Sequence, residues 1–131
     1  MKKHLTLIPL LLSACVAEPE IPSGKAMFMQ DCASCHGAGA MGGGPVALAM
    51  GVVAPDLTGL AAANGGVFPR EAVMATIDGL NRDPHFAEAM PEFGAGDLGE
   101  AVIVETPDGL GTPTPVGLIA LADYLDSIQV Q

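Results

Sequence analysis

Tryptophan is missing from the 131 residues, the aromatic side chains amount to one Tyr and four Phe, and Lys and Arg number five against fifteen Asp and Glu. Each shortage excludes something. A phosphate backbone is held by a basic face that displaces counterions, and five scattered cations on a chain of formal charge −10 form none, so nucleic acid is not a partner. No apolar run approaches the ~20 residues that a membrane-spanning helix needs. What is present is half hydrophobic, but with 17 Gly and 11 Pro, and much of the apolar count is Ala. A core of amino acids alone would be thin. The length suits one domain, which takes ~100–200 residues, and its interior must stay loose, lean on a staple, or be built around something that is not an amino acid.

The chain opens with Lys2, Lys3 and His4, continues with an apolar run from Leu5 to Leu12, and reaches Ser13, Ala14 and Cys15. A basic start, a short apolar stretch and small residues before a cut describe a secretory signal. Leu12-Ser13-Ala14-Cys15 resembles the lipobox of bacterial lipoproteins, in which the cysteine is acylated and becomes the new N-terminus. The resemblance implies a signal peptide over 1–14, lipid on Cys15, and a tether over 15–22 whose Glu18-Pro19-Glu20-Ile21-Pro22 is short, stiff and charged. Ordinary cleavage with Cys15 merely near the cut is the other reading. Cleavage at Cys15 leaves three cations against fifteen acids, a charge of −12, so anionic headgroups repel the chain and membrane attachment has to come from acyl chains. The expected location is the periplasmic side of a bacterial membrane.

Three cysteines leave one outside any pair. With Cys15 taken by lipid, the remaining two fall in Cys32-Ala33-Ser34-Cys35-His36, the C-x-x-C-H spacing of covalent haem attachment. The chemistry explains the spacing. Two thiols three residues apart on a helical turn each add to a vinyl group of one porphyrin, and the next residue presents its imidazole to the iron from the same side. Cys32 and Cys35 are then the thioether positions and His36 the proximal ligand of one haem c. A redox dithiol wants a strand before the motif, a zinc site a second ligand pair, and a disulfide here would close too small a loop to stabilise much.

Ser23 can cap a helix from Gly24 to about Cys35, with Gly24, Phe28 and Cys32 on one face, and Gly37 ends it. Residues 38–45 read as a Gly-rich loop without the Lys and Ser/Thr of a phosphate cradle. A second helix starts at Pro69-Arg70-Glu71 and stops at Asp78-Gly79. A third begins after Thr112 or Thr114 as cap, with Pro115 in its first turn and Leu118, Leu121, Leu125 and Ile128 at helical spacing. Helix, C-x-x-C-H, Gly-Pro loop, middle helix, Met-Pro, and a last helix bearing an aromatic residue: from Ser23 onward the chain resembles a class I c-type cytochrome. The resemblance implies a mainly α fold over 23–131 with helices packed around one covalently bound haem. It also implies that Gly24 and Phe28 of the first helix pack against Tyr124 of the last, and that Pro45 offers its carbonyl to Nδ1–H of His36, the bond that fixes the ring. Ala54-Pro55-Asp56-Leu57-Thr58 resembles a loop of small bacterial cytochromes and receives no ligand role.

Ala89-Met90-Pro91-Glu92-Phe93 matches the Met-Pro loop of that family, which implies Met90 as the second axial ligand; Pro91 biases it towards extended backbone. Met27 and Met29 share the helix of the haem cysteines, Met74 reads as core filler, and Met41 and Met50 stay open by position. His85 is the alternative, giving a bis-His iron of lower potential. Residues 94–114 depart from a compact cytochrome. Ala101-Val102-Ile103-Val104 is β-prone, Pro107-Asp108-Gly109 turns, and Leu110 to Thr114 can return, so a small hairpin is expected as an insertion. The acids Asp97, Glu100, Glu105 and Asp108 match no calcium loop.

The function so implied is a one-electron carrier that is not itself an enzyme, with His36 and Met90 holding both iron states and the ring gathering Phe28, Leu60, Val73, Ile77, Phe93 and Leu121 around it. Its partners are redox proteins, basic near their docking site or apolar around the haem edge. The alternatives are a sensor or small-ligand binder with an open sixth position, and a dedicated haem subunit of a larger oxidoreductase.

Overall fold

A computed structural model of the chain describes residues 23–81, 89–94, 96, 98–105 and 109–130. The signal, Cys15, the tether, His85, Asp97 and Asp108 lie outside the described residues. The first helical stretch runs through α1 (Gly24–Met27), a π-helical turn (Phe28–Cys32) and α2 (Ala33–His36). Ser23 caps it as its short hydroxyl side chain allows: Oγ accepts the N–H of Ala26 at 3.2 Å. Gly24 and Phe28 stack and are buried, as i, i+4 spacing requires. The π turn then widens the helix, so the register shifts and Cys32 comes out only half-buried rather than continuing that stack.

Two short helices follow that the periodicity did not reveal. α3 (Pro45–Met50) has Pro45 at its first position and Gly51, at φ 69°, beyond its end, which is the usual asymmetry of proline and glycine at helix ends. α4 (Leu60–Ala63) is a single turn. α5 (Arg70–Asp78) and α6 (Val116–Ser127) match the expected middle and last helices. Between them β1 (Ala101–Glu105) pairs antiparallel with β2 (Gly111–Pro115), which is the expected hairpin. The strand runs straight into α6. Neither Thr112 nor Thr114 caps that helix: Pro115 holds the cap position, and the Thr114 hydroxyl, inside the strand, donates to the Thr112 carbonyl.

The core is the seam between the first helix, α5 and α6. Phe28, Ala40, Ile77, Leu118, Leu121 and Leu125 form it, with Met27, Val73, Met74, Met90, Phe93 and Tyr124 half-buried against it. Where α1 crosses α6 there is no room for a side chain at position 24, because a Cβ there would overlap the carbonyl of Ala120. The close approach brings the rings of Phe28 and Tyr124 to 5.3 Å, tilted by 48°, a favourable aromatic geometry. The expected trio of Gly24, Phe28 and Tyr124 therefore meets. Arg70 of α5 pairs with Asp123 of α6, an exposed contact that contributes little.

Candidate haem site

The C-x-x-C-H segment spans the end of the π turn and α2, whose last residue is His36. Gly37, at φ 74°, turns the chain back under the helix end. The following loop then binds the carbonyls that α2 leaves open: Gly37 N–H donates to Ala33 at 2.9 Å, Gly42 N–H to His36 at 2.8 Å and Gly44 N–H to Cys35 at 2.9 Å. A second loop closes beneath the first, with Leu57 N–H donating to the carbonyl of Ala40 at 2.8 Å. Backbone touches backbone throughout. A Cβ at Gly42 would stand 2.5 Å from the Ala54 oxygen, and one at Gly44 2.6 Å from the Cys35 carbonyl carbon. Gly37, Gly42 and Gly44 thus permit close stacking of three backbone layers under the motif.

His36 is buried at 9 % exposure, and its Nδ1 lies 3.2 Å from the carbonyl oxygen of Pro55. A carbonyl only accepts, so Nδ1 carries the proton and the lone pair is left on Nε2, the nitrogen free for a metal. This corrects the role implied for Pro45. Pro45 opens α3, where the first carbonyl is engaged by the helix's own i to i+4 bonding, and the ring is oriented from the second loop instead. The Ala54-Pro55-Asp56-Leu57-Thr58 segment stands out in the sequence only by its resemblance to a loop of small bacterial cytochromes, and nothing in the residues themselves assigns it to the imidazole.

That loop is held from both sides. The Asp56 carboxylate accepts the N–H of Thr58 at 2.8 Å and its hydroxyl at 2.7 Å, and these two bonds, the hydroxyl's first, hold Asp56 below the ordinary carboxylate value. From the far end of the chain, Gln129 donates from Nε2 to the carbonyls of Leu57 at 2.8 Å and Leu125 at 2.7 Å, while its Oε1 accepts from Ala61 N–H at 2.9 Å. Val130 N–H adds a bond to Thr58 O at 2.9 Å. Sequence reasoning missed Gln129, which carries no motif: two of its three partners lie about seventy residues away.

Cys32 and Cys35 are both free thiols and half-buried. Burial above all, then the nearby Asp31 and Cys35, push the Cys32 thiol up to about 11. That direction is opposite to the acidified thiol on which redox dithiols rely. Two thiols one turn apart, followed by a buried histidine with Nδ1 already engaged, are the donor set of covalent haem attachment, and they fit that group.

Met90 is half-buried against the core cluster, on a segment that the Phe93 N–H fastens to Ile77 of α5 at 3.1 Å. Met29, Met41 and Met50 are exposed, Met74 packs against the core from α5, and Met27 lies against Gly117 at the crossing with α6. Of the side chains expected around the ring, Phe28, Ile77 and Leu121 are buried in the core and Val73 and Phe93 pack on it; Leu60 is half-buried outside that cluster.

The model of the family described as cytochrome C oxidase, cbb3-type, subunit III matches residues 19–106, more than half of the chain and including both the C-x-x-C-H motif and the Met-Pro loop. No curated protein and no solved structure matches the chain. The matched family is one of c-type cytochrome domains with a covalently bound haem c and its iron, whose role is electron transfer and not catalysis by the domain itself. Family match, paired thiols and oriented imidazole agree, and the chain belongs to the cbb3-type subunit III family as a monohaem c-type cytochrome.

Proposed function

We propose that the chain is a one-electron carrier whose iron is held by His36 and Met90, and that it works at the periplasmic side of a bacterial membrane with lipid on Cys15 as its anchor. The observation that supports His36 as a ligand is the Nδ1 to Pro55 bond, which frees the lone pair of Nε2 for a metal. Haem c supplies the ferrous–ferric couple. The chain's own residues do the rest. Cys32 and Cys35 fix the ring, the Pro55 carbonyl sets the direction of the imidazole, and Met90 offers a neutral thioether that favours the ferrous state. Three backbone layers without side-chain slack under His36 hold it still between the two states, so little reorganisation accompanies transfer.

A second reading, a haem subunit serving one larger oxidoreductase, is favoured by the family description, which names a subunit of an oxidase. Its chemistry is the same and only the partner differs. With three cations against fifteen acids after cleavage, a charge of −12, docking to a basic partner accelerates at low salt in either case. The test of the closed iron is the optical spectrum of the reduced, haem-loaded protein with and without carbon monoxide. An unchanged spectrum is expected. Full conversion to a carbonyl form would replace electron transfer by small-ligand binding.

A further inference from the structure

The hairpin before α6 has two edges, and among the described residues only one of them is closed. Val116 N–H donates to the Glu100 carbonyl at 2.9 Å, which fixes the alternation of the ladder. With register Val102 to Thr114 and Val104 to Thr112, the hydrogen-bonded pairs are Glu100 with Val116, Val102 with Thr114, and Val104 with Thr112. Residues of the other parity point their backbone groups outward. On β2 these are Gly111, Pro113 and Pro115, two of which have no N–H, so that edge cannot accept a further strand. On β1 they are Ala101, Ile103 and Glu105, and each presents both an N–H and a carbonyl.

Long exposed strands are ordinarily blunted, because their unpaired groups template association. Here β1 is apolar along its middle, with Val102 42 % and Ile103 67 % exposed, and among the described elements only β2 packs closely along it. It is also stiff, for Val116 N–H to Glu100 and Gly117 N–H to Leu98 at 2.8 Å tie its base to the start of α6. Exposed acids stand at its two ends, Glu100 and Glu105. A second copy brings a charge of −10 and the same two acids, so like charges oppose self-pairing.

We propose that the outer edge of β1 is a strand-addition site for an extended segment of a partner protein, with β-branched residues opposite Ala101 and Ile103 and Lys or Arg opposite Glu100 and Glu105. Main-chain bonds to Ala101, Ile103 and Glu105 supply the adhesion, and the flanking charges supply register and partner choice. The surface is independent of the iron ligands, so its test leaves the ligation reading untouched.

The experiment uses the haem-loaded protein and the hexapeptide Lys-Thr-Val-Thr-Val-Lys, titrated while the amide resonances of residues 100–105 are followed by NMR. Saturable shifts centred on Ala101, Ile103 and Glu105 are expected, with Glu-Thr-Val-Thr-Val-Glu at least tenfold weaker. Ile103→Pro removes an outward N–H without breaking a ladder bond, as Pro113 does on the other edge, and should weaken binding at least tenfold while the haem spectrum is unchanged. The double change Glu100→Lys with Glu105→Lys leaves the backbone alone and should invert the peptide preference. Absent binding, equal binding of the two peptides, or an uninverted preference would overturn the proposal. So would a dimer of the parent protein that Ile103→Pro dissolves, since the occupant would then be a second copy.

Discussion

Replacing Gly24 by Ala tests the packing that sets the fold. The added Cβ would lie 2.5 Å from the carbonyl carbon of Ala120 and 3.0 Å from Cβ of Tyr124. Non-bonded carbons rest at about 3.5 Å or more, so α1 and α6 must part by about 1 Å. Both obstructions are backbone or Cβ atoms that no rotamer change can move aside. A gap of that size forfeits a quarter to a half of the dispersion energy across the seam and opens the Phe28–Tyr124 contact. Overpacking costs about 1–3 kcal/mol and the aromatic pair about 0.5–1.5 kcal/mol, which together place the loss near 3 kcal/mol. Gly59 is the control, because a Cβ there meets nothing within 4 Å and its φ of −99° suits any residue. Guanidinium unfolding of the two haem-loaded variants, followed by circular dichroism, should show Gly24→Ala strongly destabilised and Gly59→Ala neutral or slightly more stable. A Gly24→Ala protein within about 0.5 kcal/mol of the parent would refute the close-crossing argument.

Asp56 makes part of the stability pH-dependent. Its folded value is depressed below the ordinary 3.8, so its contribution is complete above that value and is lost as pH falls through the lowered one. Stability of the parent should therefore drop more steeply than that of Asp56→Ala on acidification from about pH 5.5 to 3, in guanidinium titrations at matched salt; parallel slopes would contradict the Asp56–Thr58 contact. Gln129→Ala removes three side-chain hydrogen bonds of ~0.5–1.5 kcal/mol each and should cost about 2 kcal/mol. Gln129→Glu should recover little of that, since a carboxylate cannot donate to Leu57 and Leu125; full recovery would mean that packing, not hydrogen bonding, is what position 129 supplies.

The parts of this protein that were legible in the sequence are those whose cause lies within a few residues. C-x-x-C-H is local chemistry, α5 and α6 declare themselves by apolar spacing and proline or glycine at their ends, and the hairpin by β-branched residues around a turn. The π turn was not legible, because Gly24 and Phe28 satisfy ordinary helical spacing and the widening begins at Phe28 itself. Choosing between Pro45 and Pro55 depended on which loop lies beneath the imidazole. Both prolines stand in glycine- or alanine-bounded loops, and only the folding of residues 37–44 under α2 decides that Pro55 faces Nδ1 while Pro45 begins a helix. Gln129 depended on an even longer return, from the chain's end to residues 57–61. The shortage of aromatic residues has its counterpart in the seam, where among the described residues Phe28 and Tyr124 are the rings that meet between α6 and the first helix and the rest of the cluster is mostly aliphatic.

The most direct test of the central claim, an iron held by His36 and Met90, is the carbon–proton NMR spectrum of the reduced protein labelled at the methionine methyl groups. A methionine bound over the ring is shifted far from the others by the ring current, and its place identifies the ligand. One strongly shifted methyl that disappears in Met90→Ala is the predicted result. A shifted methyl that survives that substitution, or the absence of any in the parent, would contradict the account.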